Sequence, residues 1–173
     1  MNILGTLESY ETGEMVCFGK KNPIQKEKTC ELLRRNKIAY LFQNFALVEK
    51  MSVWENMSLA AKYGKYKDHG ARIRKTLGYM GVADKLKSKV YELSGGEQQR
   101  VAIARNMVKP FDIMLADEPT GSLDAENKAI VMNALMELHK AGKTIVVVSH
   151  DMDFRRIAGI SYGIENACLQ ELN

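Results

Sequence analysis

Short apolar runs alternate along this chain with longer segments of helical periodicity. Residues 15–18 read as a short strand before a Gly19 turn, residues 28–36 as a polar helix, and residues 38–42 as a buried strand. The middle is helical. Ser52 and Glu55 form a capping box that opens a helix to about residue 61. Ile73, Leu77 and Met80 keep the spacing of one helix face, and Gly81 supplies a stop. Ser94 and Glu97 form a second capping box, opening a helix that ends before Pro110. Alternation then resumes: a strand at 113–116, a helix at 125–140 with Ile130, Ala134, Leu135 and Leu138 inward, and a β-branched strand at 144–148. Residues 160–172 read as a small hairpin. The pattern predicts an α/β domain with a largely parallel sheet. It is expected to be a single domain over 1–173, with residues 1–49 and 109–173 forming the α/β body and a helical insert over about residues 50–108.

Composition narrows the class. The chain has 173 residues, 46% hydrophobic and 27% charged, which excludes a disordered, collagen-like or coiled-coil protein. The net charge of +4 is mild and does not by itself call for nucleic acid. A basic cluster (Lys20, Lys21, Lys26, Lys28, Arg34, Arg35, Lys37) is broken by Glu27 and Glu31 and has no interleaved aromatics, so it reads as a solvated face. Cys17, Cys30 and Cys168 are widely spaced and odd in number, which suggests neither a disulfide framework nor a zinc site. The ten methionines read as core filler. No signal peptide is legible at Met1, and the apolar run 145–148 is far short of the roughly 20 residues that span a bilayer. A soluble cytoplasmic chain is expected, held at a membrane only through a partner.

Three constellations carry chemistry. In the first, the apolar run Ile113-Met-Leu-Ala ends in Asp117 and Glu118. Ligands of open α/β sheets sit at the carboxyl ends of strands. One carboxylate there can hold Mg²⁺, directly or through water, and the next can orient or activate a water for attack on phosphorus. In the second, Thr144-Ile-Val-Val-Val-Ser leads to His150, a hydrogen-bond donor to phosphate at the same sheet edge. In the third, Ser94-Gly95-Gly96-Glu97 at a helix start offers free N–H groups, a positive dipole end and a hydroxyl to an anion. Each has a plainer reading when it stands alone: a surface turn, a solvated histidine, a simple helix cap.

Together these residues resemble the ABC-type ATPases. Leu93–Arg100 is similar to the family's signature motif, and Ile113–Glu118 to its Walker B strand with the catalytic Glu. Ser122-Leu123-Asp124 resembles the D-loop, His150 the switch histidine, and Gln43 the Q-loop glutamine. The stretch 32–57 is most similar to lipoprotein-release, macrolide-export and antimicrobial-peptide-export ATPases. The resemblance implies a P-loop NTPase-like fold with ATP sandwiched between two such domains, head to tail. It implies that Asp117 holds Mg²⁺, Glu118 is the general base, and His150 contacts the γ-phosphate. The same resemblance implies that Gln43 senses Mg²⁺ and water and couples to a transmembrane permease. Ser94, Gly95, Gly96 and Glu97 bind the γ-phosphate of ATP held by the other subunit, and Asp124 lies at the dimer interface. No nucleic acid is implied.

One motif of the family is not present in the 173 residues: a phosphate loop of the form G-x-x-x-x-G-K-[ST]. Gly142-Lys143-Thr144 has the right ending, but Glu137 stands where the first glycine belongs, and a strand follows instead of a helix. Gly19-Lys20 continues into Lys21. Residues 2–8 resemble the helix that follows the phosphate loop, so the chain is expected to begin just after its own phosphate-binding residues, without the first strands. That loop supplies N–H groups, a Lys charge and a Mg²⁺ ligand. Weak MgATP binding, negligible turnover and exposed apolar strand edges are therefore expected of this chain alone. Two other functions compete: a non-catalytic subunit that lends only its signature face to an intact ATPase, and an ABC-type ATPase of DNA repair or translation. The Gln-Gln-Arg ending of the signature and the Q-loop region favour a transporter. After His150, residues 158–164 also depart from the family's usual Ala-Asp-Arg start to its last strand.

Overall fold

A computed structural model describes residues 1–172. Its centre is a three-stranded parallel sheet in the order β3-β4-β5, with β3 at Ile38–Leu41, β4 at Ile113–Asp117 and β5 at Thr144–Val148. Ahead of it come a short antiparallel pair, β1 (Val16–Cys17) and β2 (Lys20–Lys21), and helix α1 (Glu27–Asn36). Between β3 and β4 lie α2 (Val53–Ala61), α3 (His69–Tyr79) and α4 (Gly95–Met107). Helix α5 (Ala125–Lys140) crosses from β4 to β5, and α6 (Met152–Ile157) leads to the hairpin β6 (Tyr162–Glu165) and β7 (Cys168–Glu171).

Register decides which side chains share a face. Ala39 pairs with Met114 and Leu41 with Ala116, which sends these four to one side. There they join α2–α5 in the larger core, with Val53, Met57, Ile73, Leu77, Val101, Ile103 and Val131. Tyr40, Leu115 and Val146 are in register and point the other way, into a smaller cluster with Leu33 and Ile38. The inward set expected on α5 is found: Ala134 and Leu135 are buried, and Ile130 and Leu138 pack against them. Trp54 packs on the same core, with Arg74 over its ring. Strand β5 has no partner on its second side among the described residues. Ile145, Val146 and Val147 are only half-buried and Val148 is 42% exposed, against full burial of β4's Met114, Leu115 and Ala116. The expectation of an exposed apolar strand edge is met.

Two local readings need correction. Residues 2–8 do not form a helix. Gly5 donates to the Met1 carbonyl at 3.0 Å, but Leu7 reaches back to Asn2 and Thr6 has φ +56°, so the segment is one distorted turn. A lone turn fixes many dihedrals for few hydrogen bonds, and tertiary contacts decide its shape. Arg34 donates to the Thr6 carbonyl at 2.5 Å, and Gly5 lies so close to the Tyr40 ring that an added Cβ would stand 2.9 Å from it. The strand expected at 15–18 spans only Val16–Cys17, because Phe18 (φ +47°) and Gly19 (φ +71°) already form the turn.

The two capping boxes form as read. The Ser52 hydroxyl accepts from the Glu55 N–H at 3.2 Å, and Glu55 accepts from the Ser52 N–H at 2.6 Å. That backbone hydrogen bond lowers the Glu55 carboxyl to about 2. Because the folded value is depressed, its contribution is present above pH 4.5 and is lost as pH falls through about 2. Ser52→Ala is expected to cost about 1 kcal/mol of stability in a urea titration at pH 7.

Candidate functional site

The carboxyl ends of β4 and β5 bring two of the sequence's constellations together. Asp117 pairs with Val148 in the ladder, and the Glu118 N–H donates to the Val148 carbonyl at 2.9 Å. Glu118 then turns with φ +44°, a left-handed conformation that costs a non-glycine residue about 1–2 kcal/mol. The turn carries its carboxylate to the end of β5. Oε1 lies 2.9 Å from His150 Nδ1 and accepts from the His150 N–H at 3.2 Å, while Oε2 accepts from the Ser149 hydroxyl at 3.1 Å. His150 is otherwise exposed, and its Nε2 has no partner among the described residues. A ring that donates Nδ1–H to Glu118 donates from Nε2 as well only when both nitrogens are protonated.

Asp117 faces elsewhere. It lines an open cleft of 390 Å³ with Asn2, Leu7, Phe42, Gln43 and Asn44. Its half-buried carboxylate enters no ion pair among the described residues. The Tyr40 phenol is pushed up by burial, with the Asp117 carboxylate adding to the effect. One carboxylate beside amide oxygens suits a hard cation that keeps phosphate oxygens and waters as its other ligands, which is the habit of Mg²⁺. Among the described residues no cluster of three or more His, Cys, Asp or Glu side chains makes an all-protein metal cage. The loop bearing Gln43 is strained just beyond it, with Phe45 at φ +63° and Ala46 at φ +47°. Arg105 of α4 holds it there by donating to the Phe45 and Ala46 carbonyls.

The third constellation stands apart from this cleft. Ser94 caps α4, accepting from the Glu97 N–H at 3.3 Å and donating its own N–H to Glu97 at 2.8 Å. That backbone hydrogen bond, with Lys85 at 3.1 Å, holds the Glu97 carboxyl below the usual range. Gly96 packs so tightly on Asn127 that an added Cβ would meet its amide at 2.5 Å. Asn127 in turn donates its backbone and side-chain N–H groups to Asp124, the N-cap of α5, and lowers that carboxyl. None of Ser94, Gly95, Gly96, Glu97 or Asp124 lines the Asp117–Gln43 cleft.

Sequence reasoning missed the fasteners between these parts. Buried Gln99 of α4 donates to the Pro119 carbonyl at 2.6 Å, tying the signature helix to the loop after Glu118. Its signal was present, since position 99 shares the buried face of Gly96 and Ile103. Thr120 donates to Asp151 at 3.3 Å, and Lys128 pairs with Asp151 at 2.7 Å and Asp153 at 2.6 Å. Lys128 is the first cause of the lowered Asp151 carboxyl. Ser149 was passed over because a serine beside a candidate histidine has no distinguishing spacing.

A parallel sheet thus carries Asp117, Glu118 and His150 at its carboxyl edge, with the glycine-opened helix α4 in the same α/β fold. The comparisons with known proteins make the class specific: the profile of the ABC transporter family matches residues 1–121, and this chain belongs to that family. A macrolide export ATP-binding/permease protein of Campylobacter jejuni is 41% identical over 157 residues, covering 87% of this chain and 24% of that protein. The lipoprotein-releasing system ATP-binding protein LolD of Aquifex aeolicus is 38% identical over 157 residues, covering 90% of this chain and 70% of its own length. In structure the chain is similar to the ATP-binding cassette MJ0796, solved as a dimer in a post-hydrolysis state with ADP and Pi. The TM-score is 0.87 at 31% identity, over 99% of this chain and 78% of that one. The fold is that of an ABC ATPase cassette. This chain spans about a quarter of the length of the macrolide-export relatives.

Proposed function

We propose that this chain is the ATP-binding subunit of an export-type ABC transporter and works through a transmembrane permease and a second cassette bound head to tail. The observation that carries this reading is the convergence of Glu118 with His150 beside the Asp117–Gln43 cleft. In the proposed roles Asp117 would hold Mg²⁺, an ion that would supply charge neutralisation at the phosphates. Glu118 takes the proton of the attacking water, His150 donates to the γ-phosphate, and Gln43 senses Mg²⁺ and that water and couples them to the permease. Ser94, Gly95, Gly96 and Glu97 serve ATP on the opposite cassette, and Asp124 lies between the two. Their separation from the cleft of their own chain supports that division of labour.

A second reading, a subunit that lends its signature face to another cassette, is favoured by one observation: the α4 N-terminus is fully formed, with the Ser94–Glu97 capping box closed. The two readings separate in one experiment. An intact homologous cassette is disabled in its signature motif and assayed for ATP hydrolysis with and without this chain. If this chain's signature face is functional, turnover is expected to appear only in the mixture, and Gly96→Trp in this chain abolishes it. Turnover by this chain alone would overturn the second reading. No turnover in the mixture would count against a functional signature face.

A further inference from the structure

On the far side of the wall formed by Leu7 and Phe42 lies a second cavity, of 260 Å³. Three cations line it: Arg34 from α1, Arg105 from α4 and Lys109 just beyond α4. Tyr40 and Phe42 form one wall, their rings stacked at 4.0 Å, with Ala60 and Ile38 completing an apolar surface. No carboxylate lines the cavity, and none of the three cations is in an ion pair among the described residues. They donate to carbonyls instead. Lys109 reaches the Arg34 and Ile38 carbonyls at 2.6 Å each, Arg34 the Thr6 carbonyl, and Arg105 those of Phe45 and Ala46.

Clustered, partly desolvated cations without a counter-charge are costly, and proteins ordinarily pair them. The cost is visible in Lys109, which burial, helped by the neighbouring Arg105 charge, lowers to about 8. Burial likewise lowers Arg105. Each side chain keeps donors in reserve: an ammonium has three N–H and a guanidinium five, more than the carbonyl contacts use.

We propose that this cavity is a binding site for a small amphipathic anion, with a phosphate or carboxylate head on the three cations and a planar apolar body against Tyr40 and Phe42. At roughly 30 Å³ per water its 260 Å³ has the room of about nine waters, enough for a phenyl-sized body and its head. The site shares only Leu7 and Phe42 with the proposed ATP cleft, which among the described residues is lined by a carboxylate and no cation, so it stands or falls independently of that reading.

The test is calorimetric titration of the chain with phenyl phosphate, inorganic phosphate and benzyl alcohol, in EDTA so that no divalent ion bridges to Asp117. Phenyl phosphate is expected to bind saturably and at least about tenfold more tightly than either fragment. Its second ionisation is near 6, so above pH 7 its charge is constant. Affinity then falls from pH 7 to 9 as Lys109 loses its proton. The other ionisable groups lining the cavity are two arginines, Arg34 and Arg105, and Tyr40, whose phenol burial pushes up, away from this range. Lys109→Met weakens binding about tenfold at pH 7 and flattens that pH dependence. Ala60→Phe fills the cavity, leaves every cation in place and abolishes phenyl phosphate binding, which keeps the test open if the Lys109 variant folds poorly. The proposal is overturned by absence of saturable binding, by equal affinity for benzyl alcohol, by a flat pH profile in the unaltered chain, or by binding that survives both substitutions.

Discussion

Glu118→Gln is expected to lower ATP hydrolysis by about a hundredfold or more while nucleotide affinity changes by less than about twofold, measured on the chain fused behind a phosphate-loop segment. A positioned general base contributes about 10²–10⁴ in rate. The amide is nearly isosteric with the carboxylate but cannot accept the proton of the attacking water. Its oxygen can still accept from the His150 N–H while its NH2 donates to the Ser149 hydroxyl, so the loop geometry is expected to survive. The prediction is sharpened by the conformation seen here. Both Glu118 oxygens are engaged by the end of β5, at 2.9–3.2 Å from His150 and 3.1 Å from Ser149, and the carboxylate does not line the cleft. On the proposed roles, the Glu118–His150 contact is expected to rearrange when nucleotide binds. A Glu118→Gln form that turns over at the parent rate would remove Glu118 from the chemistry.

Leu115→Ala is expected to destabilise the chain by about 2–5 kcal/mol, read as a shift in the urea midpoint with an unchanged slope. Leu115 is fully buried at the middle of the central strand, in register with Tyr40 on one side and Val146 on the other. Its cluster is the small one, with Leu33, Ile38 and Tyr40 as buried neighbours, so little packing is at hand to collapse into the void. Stability moves the other way with pH at Lys109. Its folded value of about 8 lies below the ordinary 10.5, so the penalty is full below pH 8 and disappears as pH rises to 10.5. Lys109→Met is expected to lose that rise.

Much of this was legible because local chemistry and tertiary packing agree. Ser52 and Ser94 cap helices as their Ser-x-x-Glu spacing requires, and the strand at 144–148 forms where β-branched residues gather. The tail hairpin forms as well. The candidate site was legible as three separate constellations, and the sheet joined two of them: Glu118 with His150. What could not be read was set by contacts distant in sequence. Residues 2–8 carry helical composition, yet Arg34 and Tyr40 shape them into a turn. The short α6 was missed because its six residues carry one buried side chain, Phe154, and too little periodicity to register. Arg34 was grouped with a solvated basic face, whereas the fold turns it toward Arg105 and Lys109, which lie some seventy positions further along the chain. The left-handed Glu118 left no trace in composition, because a glutamate is not a residue type that announces such a backbone.

The most direct measurement is MgATP binding by calorimetry to the 173-residue chain, beside the same chain with a Gly-rich phosphate-loop segment placed ahead of Met1. Among the described residues the Asp117–Gln43 cleft is lined by one carboxylate and three side-chain amides and by no cation that would hold a triphosphate. Binding by the extended chain alone, lost on Asp117→Ala, is the expected result. Micromolar binding by both forms, or binding indifferent to Asp117, would contradict the assignment of this cleft as one half of an ATP site.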